Sequence, residues 1–226
     1  MMMRRSYSKE PGHPAEFTRQ FDRFYTRFAR WYAGFIRAFP LWRRWLDHAL
    51  PYIEGRRVLE ISFGTGYLLS RYARRFETYG VDLNYQLAQL ARGALTRQAI
   101  DANLQVADVV ALPYPDGIFD CVVNTMAFSG YPEADAAIAE IKRVLCPGGR
   151  LVLIDVAYPV EERPAGFLMA RMWKLAGDLL RDMKTLLAQH GFSASIQEIG
   201  GFGSVQLFVC QVDGGMEHFN SRVQGA

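Results

Sequence analysis

A small-residue turn within the stretch Val58–Leu69 has the composition of a ligand cradle. Gly64 and Gly66 permit positive φ angles or a close backbone approach. The residues before the turn, Val58–Ile61, suit a buried strand, and Tyr67–Phe76 has helical spacing. A strand, a glycine turn and a helix start would direct free backbone N–H groups and a positive helix end into the crevice above the strand. Open α/β sheets bind their ligands in that crevice.

Two acidic residues follow at positions that suit the recognition of a nucleoside. Asp82 lies 22 positions after Glu60, at the end of a second predicted strand, where a carboxylate can accept hydrogen bonds from both ribose hydroxyls. It could also cap the helix predicted to begin near Tyr85, a role that Asn84 could fill equally well. Asp108 follows the third predicted strand and is either an acceptor for an adenine amino group or a solvent-exposed loop acid.

The elements around these residues alternate between strand and helix, which predicts a parallel, doubly wound α/β sheet with right-handed crossovers. A turn at Pro147–Gly149 ends one helix and precedes the fifth strand, and two apolar stretches at the end of the chain predict a closing hairpin. The predicted strands are Val58–Ile61, Glu77–Val81, Leu104–Val106, Phe119–Asn124, Arg150–Val156, Ala194–Ile199 and Val205–Val212.

A helical arm precedes the cradle. From Phe17 to Phe39 the large aromatic residues recur at three- and four-residue spacing, and Arg19, Arg23, Arg27 and Arg30 repeat on another face. Pro40 ends this pattern, and a second helix follows over Leu41–Leu50. Two interpretations remain open: an arm packed on the main domain with solvated arginines, or a surface that contacts lipid headgroups or covers an apolar substrate.

Composition predicts one large domain with an appended arm. The chain has 226 residues, half of them hydrophobic, and a net charge of +3, which does not by itself indicate a nucleic-acid binder. The cysteines and histidines lack metal-ligand spacing, so we predict no metal site. The chain shows no signal peptide and no run of eighteen apolar residues, which favours the cytoplasm. The predicted divisions are residues 1–54 (arm or lid), 55–212 (ligand-binding domain) and 213–226 (flexible tail).

Five segments, taken in order, resemble the Rossmann-like (class I) methyltransferases that use S-adenosylmethionine. The resemblance extends over Gly55–Val212 and implies a seven-stranded sheet, mostly parallel with its last strand antiparallel. It is closest to the small-molecule branch, which includes ubiquinone and menaquinone methyltransferases and phospholipid N-methyltransferases. The segments are Val58–Gly66, Gly80–Asp82, Ala107–Val109, Phe119–Asn124 and Leu145–Leu151.

The resemblance implies cofactor-binding roles for the cradle residues. Gly64 and Gly66 would let the backbone approach the methionine part of S-adenosylmethionine, Glu60 would orient the turn and the cofactor's amino group, and Asp82 would bind the ribose. The family's turn usually begins with glycine, whereas this chain has Ser62. Ser62 could hinder the methionine end of the cofactor or donate a hydrogen bond to its carboxylate.

Further residues carry over by position. Asp108 and Val109 would recognise the adenine, Leu83 would pack on its ring, and Asn124 with Met126 would line the crevice below the sulfonium. Two arm residues, Tyr25 or Tyr32, could cover the cofactor.

Methyl transfer from a sulfonium is an in-line displacement, so holding donor and acceptor in contact supplies much of the rate and no catalytic triad is required. A general base helps when the acceptor is a phenol or a protonated amine. We predict a small, hydrophobic or lipid-like acceptor, and the apolar stretch Phe167–Trp173 could wall its pocket or simply pack in the core. The candidate bases are Tyr131, Asp155, Tyr158 and His190.

Three alternative functions make different demands on these residues. A nicotinamide-dependent oxidoreductase would need a further glycine at Ser62 or Leu69. A nucleic-acid base methyltransferase would carry an Asn-Pro-Pro-aromatic pattern, whereas this chain has Asn124-Thr125-Met126-Ala127. A methyltransferase-fold binding or scaffold protein without turnover is the third alternative, and Ser62 is the residue that motivates it.

Overall fold

The structure is a computed structural model that describes residues 5–212. Within the first helix it does not describe the side chains of residues 24, 25, 28, 30–33 and 35–37. The predicted tail, residues 213–226, lies outside the described residues. In chain order the elements are α1 (Pro14–Ala38), α2 (Pro40–Asp47), β1 (Arg57–Ile61), α3 (Leu69–Tyr72), β2 (Glu77–Asp82), α4 (Tyr85–Arg97), β3 (Asn103–Val106), β4 (Phe119–Thr125), α5 (Ala134–Val144), β5 (Leu145–Val156), α6 (Pro164–Ala176), α7 (Met183–Gln189), β6 (Phe192–Gly200) and β7 (Val205–Val212).

The strands form one seven-stranded sheet in the order β3-β2-β1-β4-β5-β7-β6. The pairs among β1 to β5 are parallel, and β7 runs antiparallel to both β5 and β6. This arrangement confirms the predicted Rossmann-like sheet with an antiparallel last strand. The strand order reverses between β1 and β4, and in open α/β sheets the ligand crevice lies at such a reversal.

Each face of the sheet carries its own apolar core, because alternate side chains of a strand point to opposite faces. In β1, Leu59 and Ile61 pack in a cluster that includes residues of α5 and α7. Val58 belongs to a second cluster, on the other face, with residues of α2, α3 and α4. Trp45 of α2 is 6% exposed in this second cluster, so the helix before the sheet packs in its core.

The helix after the glycine turn is shorter than the sequence predicts. Helical spacing predicts Tyr67–Phe76, but α3 has four residues and is followed by a 3₁₀ turn. The Ser70 hydroxyl donates to the carbonyl of Tyr67 (2.6 Å). The Arg71 amide, which would bond this carbonyl in a regular α-helix, donates to the carbonyl of Leu68 (2.9 Å). The side chain of Ser70 therefore takes the acceptor that a regular α-helix would use, which favours tighter i to i+3 bonding.

Helix α1 packs on the start of α4 and is held there by side-chain hydrogen bonds. The Nδ2 atom of Asn84 donates to Oδ1 of Asp22 (2.7 Å) and to Oγ1 of Thr26 (2.7 Å). Arg19 and Arg23 are exposed on α1. Across the described part of the chain, none of the helices is both long and apolar enough to cross a membrane.

Candidate active site

A cleft of about 1100 Å³, including its open mouth, lies above the carboxyl ends of β1, β2 and β4. Its position matches the crevice expected from the strand order. Seven of the predicted cofactor-binding residues line it: Ser62, Gly64, Asp82, Leu83, Asp108, Val109 and Met126.

The glycine turn closes tightly at the floor of this cleft. Gly64 and Gly66 have φ angles of 56° and 76°, a region that L-residues rarely adopt. A Cβ atom added to Gly66 would lie 3.0 Å from the Cβ of Ala91 in α4, so this glycine allows the turn to pack on the helix. The Gly64 amide donates to Asp82 Oδ2 (2.8 Å) and the Gly66 amide to the carbonyl of Phe63 (3.0 Å). These two N–H groups, expected from the sequence to be free, therefore have partners within the protein.

Asp82 connects the turn to the edge of the cleft. Its Oδ2 accepts from the Gly64 amide and its Oδ1 from the Asn84 amide (2.8 Å). The pKa of the Asp82 carboxyl is raised to about 6, mainly by burial. The two backbone hydrogen bonds lower this pKa, and the nearby Asp22 carboxylate raises it. Each carboxylate oxygen keeps a second lone pair, so Asp82 can still accept hydrogen bonds from a bound ligand.

Glu60 lies beneath the turn and is not among the residues that line the cleft. Its side chain is 1% exposed, and its Oε2 atom has no hydrogen-bond partner. Burial raises the pKa of Glu60 to about 8, the adjacent Tyr72 hydroxyl lowers it, and Asp82 raises it. The Glu60 carboxyl is therefore mostly protonated at neutral pH, and its predicted role in orienting the cofactor's amino group stays a prediction.

The predicted adenine-binding residues lie together at the β2 and β3 side of the cleft. Leu83 is 39% exposed and gives this side of the cleft an apolar surface. Asp108 begins a short 3₁₀ turn, and its Oδ1 accepts from the Val110 amide (3.2 Å). Val109 is 7% exposed and lines the same wall. An apolar surface beside a carboxylate is the environment that an adenine ring with its amino group requires.

Tyr131 joins the floor of the cleft to its β4 side. Its hydroxyl lies 2.6 Å from Ser62 Oγ and accepts from Asn124 Nδ2 (2.7 Å), which also donates to the carbonyl of Ile61 (3.1 Å). Asn124 is fully buried below the cleft, and its Oδ1 atom has no partner. Burial raises the pKa of the Tyr131 hydroxyl, although its bonds to Ser62 and Asn124 lower it, so the group stays protonated. The sequence indicated Tyr131 as a candidate base, not as a partner of Ser62.

A second polar group lies on the β4 and β5 side. Ser129 donates through its hydroxyl to Asp178 Oδ1 (2.7 Å) and through its amide to Asp155 Oδ2 (2.8 Å). Asp178 lines the cleft, and burial raises its pKa. Asp155 is buried behind it; burial and the neighbouring Asp178 raise the pKa of Asp155 to about 6. The sequence did not indicate Asp178 as a site residue, because it follows a helix far along the chain and belongs to no motif.

Helix α1 forms part of the roof of the cleft. Thr18, Phe21 and Asp22 line the cleft from above. The residues named in the prediction, Tyr25 and Tyr32, have side chains outside the described residues. The aromatic spacing located the helix, but it could not identify which turn of the helix lies over the cleft.

Of the candidate bases, only Tyr131 lines the cleft. Tyr158 donates to the carbonyl of Ser6 (3.1 Å) within an apolar cluster, and His190 pairs with Asp135 (2.9 Å) at the end of α7. The stretch Phe167–Trp173 does not wall the cleft: Phe167 packs in the same cluster as Tyr158. Within residues 5–212, no group of three His, Cys, Asp or Glu residues is placed to hold a metal ion.

A family comparison assigns the central part of the chain. Residues 59–153, which contain the glycine turn, Asp82, Asp108 and Tyr131, match the family described as "Methyltransferase domain". This segment of the chain is similar to a methyltransferase domain. The match extends from β1 into β5 and so includes the floor and both sides of the cleft.

Curated proteins that match this chain are about a third identical to it over the aligned residues. A ubiquinone/menaquinone biosynthesis C-methyltransferase of Pseudomonas putida is 33% identical over 128 residues, 54% of this chain and 50% of that protein. A demethylmenaquinone methyltransferase of Thermus thermophilus is 35% identical over 134 residues, 58% of this chain and 60% of that protein. The chain spans about half the length of the curated relatives it matches.

A solved structure shows the same fold. A methyltransferase from Aquifex aeolicus described as S-adenosylmethionine-dependent has a TM-score of 0.55 and 19% identity, covering 74% of this chain and 88% of that one. At this identity the likeness establishes the Rossmann-like fold of the domain and nothing finer.

Proposed function

We propose that this protein binds S-adenosylmethionine and transfers its methyl group to a small acceptor by in-line displacement. The observation that carries the proposal is the position of Asp82, which joins the glycine turn to the mouth of the cleft inside the matched domain. The cleft fits the cofactor: an apolar wall with a carboxylate for adenine, a carboxylate for ribose, and a glycine turn that permits close approach at the other end.

The residues divide the cleft into two halves. Leu83, Asp108 and Val109 would hold the adenine and Asp82 the ribose, which places the amino-acid end over Ser62 and the turn. The β4 and β5 side, with Met126, Ser129 and Asp178, then remains for the acceptor. The chain's contribution to the rate is to hold the acceptor in line with the methyl group and to exclude water.

The charge of the cleft supports a cationic cofactor. S-adenosylmethionine supplies an electrophilic methyl group on a positively charged sulfur. The described lining residues include no Lys, Arg or His. A cleft lined by acidic groups raises the local concentration of a cationic ligand. The acidic lining residues are Asp22, Asp82, Asp108, Glu133 and Asp178.

The acceptor that we propose is hydrophobic or lipid-like, with an ionisable hydroxyl or amine. Phe21, Met126 and Pro132 give the cleft apolar surface, and relatives of the domain are named for quinone biosynthesis. Asp178 is a carboxylate that lines the acceptor side, and as a positioned base it would take the proton that the acceptor releases.

Two measurements test this function. S-adenosylhomocysteine at a hundred times its dissociation constant should raise the free energy of unfolding by about 2.7 kcal/mol, seen as a higher melting temperature. Asp178→Asn should keep that shift and lose at least about tenfold in methyl transfer to a reduced demethylmenaquinone analogue. Lys184→Gln, at an exposed residue of α7, is the control. An absent melting shift contradicts the proposal, and binding without transfer to any phenol or amine acceptor favours a scaffold protein.

We also propose that α1 contacts membranes that hold a lipid-like acceptor. Arg19 and Arg23 are exposed on the helix that roofs the cleft, and basic residues near an anionic surface each add about 1 kcal/mol of attraction. Arg19→Glu with Arg23→Glu should therefore lower binding to phosphatidylglycerol-containing vesicles at least about tenfold in sedimentation assays. The matched control, Arg75→Glu with Arg97→Glu, changes the same charge on other exposed residues. Equal losses in both pairs would refute a specific contact through α1.

A further inference from the structure

Ser62 adopts a backbone conformation that serine rarely adopts. Its φ angle is 54°, in the left-handed region that favours glycine. Its amide donates to the carbonyl of Val81 (2.7 Å), and its Oγ lies 2.6 Å from the hydroxyl of Tyr131. A strained non-glycine residue persists where its surroundings hold it firmly, and such residues concentrate at ligand sites.

The hydrogen atoms around Tyr131 can be counted. Asn124 Nδ2 has two hydrogens, one directed to the carbonyl of Ile61 and one to the Tyr131 hydroxyl oxygen. Tyr131 and Ser62 bring one hydroxyl hydrogen each but share a single hydrogen bond. One hydrogen is therefore left over between the two hydroxyls and needs an acceptor elsewhere.

The spare hydrogen belongs to Ser62. A phenol is a stronger hydrogen-bond donor than an aliphatic alcohol, and the bond that Tyr131 accepts from Asn124 polarises its hydroxyl further. Tyr131 is therefore the favoured donor to Ser62 Oγ, which leaves the Ser62 hydrogen free to bond a ligand in the cleft that this residue lines.

We propose that Ser62, oriented by Tyr131, binds the carboxylate of the amino-acid part of the cofactor, so that the pair selects ligands that carry this carboxylate. The inference rests on the proposed function, since it assigns an end of the same ligand. An anionic group in this cleft meets no Lys, Arg or His among the described lining residues, so it depends on neutral donors. Ser62 provides such a donor beside the turn, and Tyr131 acts through it as a positioning residue.

Matched ligands test the assignment. S-adenosylmethionine and its decarboxylated analogue differ only in the carboxylate, and isothermal titration calorimetry measures the affinity of each. Ser62→Ala and Tyr131→Phe should each weaken the binding of S-adenosylmethionine by about 5- to 20-fold. The affinity for the decarboxylated analogue should change by less than about twofold in both variants. The variant with both substitutions should lose no more affinity for S-adenosylmethionine than the single variant with the larger loss, because the two hydroxyls act as one unit.

Ser62→Gly is the control for a folding defect in Ser62→Ala, because glycine adopts the observed φ angle without strain and also lacks the hydroxyl. It should show the same selective loss as Ser62→Ala. Equal losses for both ligands, or additive losses in the double variant, would overturn the assignment. A wild-type protein that binds neither ligand would instead contradict the proposed function, so the two failures are distinguishable.

Discussion

Asp82→Ala is expected to lower the affinity for S-adenosylhomocysteine by about 100-fold or more. Two hydrogen bonds from ribose hydroxyls to an ionised carboxylate are each worth about 1.5–3 kcal/mol, and the alanine variant makes neither. Isothermal titration calorimetry at pH 7.5 measures the loss. The wild-type affinity should also fall below pH 6, because the pKa of Asp82 is raised to about 6 and the protonated carboxyl is a weaker acceptor.

Two further variants separate ligand binding from folding. Asp82 also accepts from the amides of Gly64 and Asn84, so its removal leaves two buried donors unpaired. Asp82→Asn retains one acceptor oxygen and should lose only about tenfold in affinity. Asp101→Ala, at an exposed residue before the amino end of β3, should have no effect. A folded Asp82→Ala variant with unchanged affinity would remove Asp82 from the ligand site.

Glu60→Gln is expected to make the stability of the protein less sensitive to pH. The folded-state pKa of Glu60 is raised from 4.5 to about 8, so the folded protein keeps a proton that the unfolded chain releases within this range. The free energy of unfolding therefore falls as pH rises through that window. Between pH 6 and pH 8 the wild type should lose about 2 kcal/mol relative to the glutamine variant.

Urea unfolding at pH 6, 7 and 8 measures this difference. Asp82 and Asp155 also have raised pKa values, but both are near 6, so most of their contribution falls at lower pH. Glu77→Gln is the control, since Glu77 is exposed on the adjacent strand and its pKa is lowered. Parallel stability profiles for the wild type and Glu60→Gln would show that Glu60 is ionised in the folded state.

The sheet and the residues on the β2 and β3 side of the cleft could be predicted because they depend on local patterns. Alternating strands and helices specify a parallel sheet, and parallel strands bring their carboxyl ends to one edge. Residues that directly follow those strands, such as Asp82 after β2 and Asp108 after β3, therefore meet at the cleft. The closing hairpin was equally accessible, since β6 and β7 are apolar segments separated by a glycine-rich turn.

The remainder depends on contacts that no local pattern encodes. Ser62 and Tyr131 are 69 positions apart, and Ser129 and Asp178 are 49 apart. Each pair forms only when loops after different elements pack together. The short α3 shows a local exception, because one side-chain hydrogen bond from Ser70 overrides helical spacing.

The side-chain amide of Asn84 bonds to two helices through separate atoms. Its Oδ1 accepts from the Leu87 amide and caps α4, while its Nδ2 holds Asp22 and Thr26 of α1. Of the two side-chain amide atoms of Asn84, only Nδ2 bonds to α1, and the Oδ1 cap of α4 lies within α4 itself. The cap that fixes the start of α4, next to Asp82, therefore does not depend on the hydrogen bonds between Asn84 and α1.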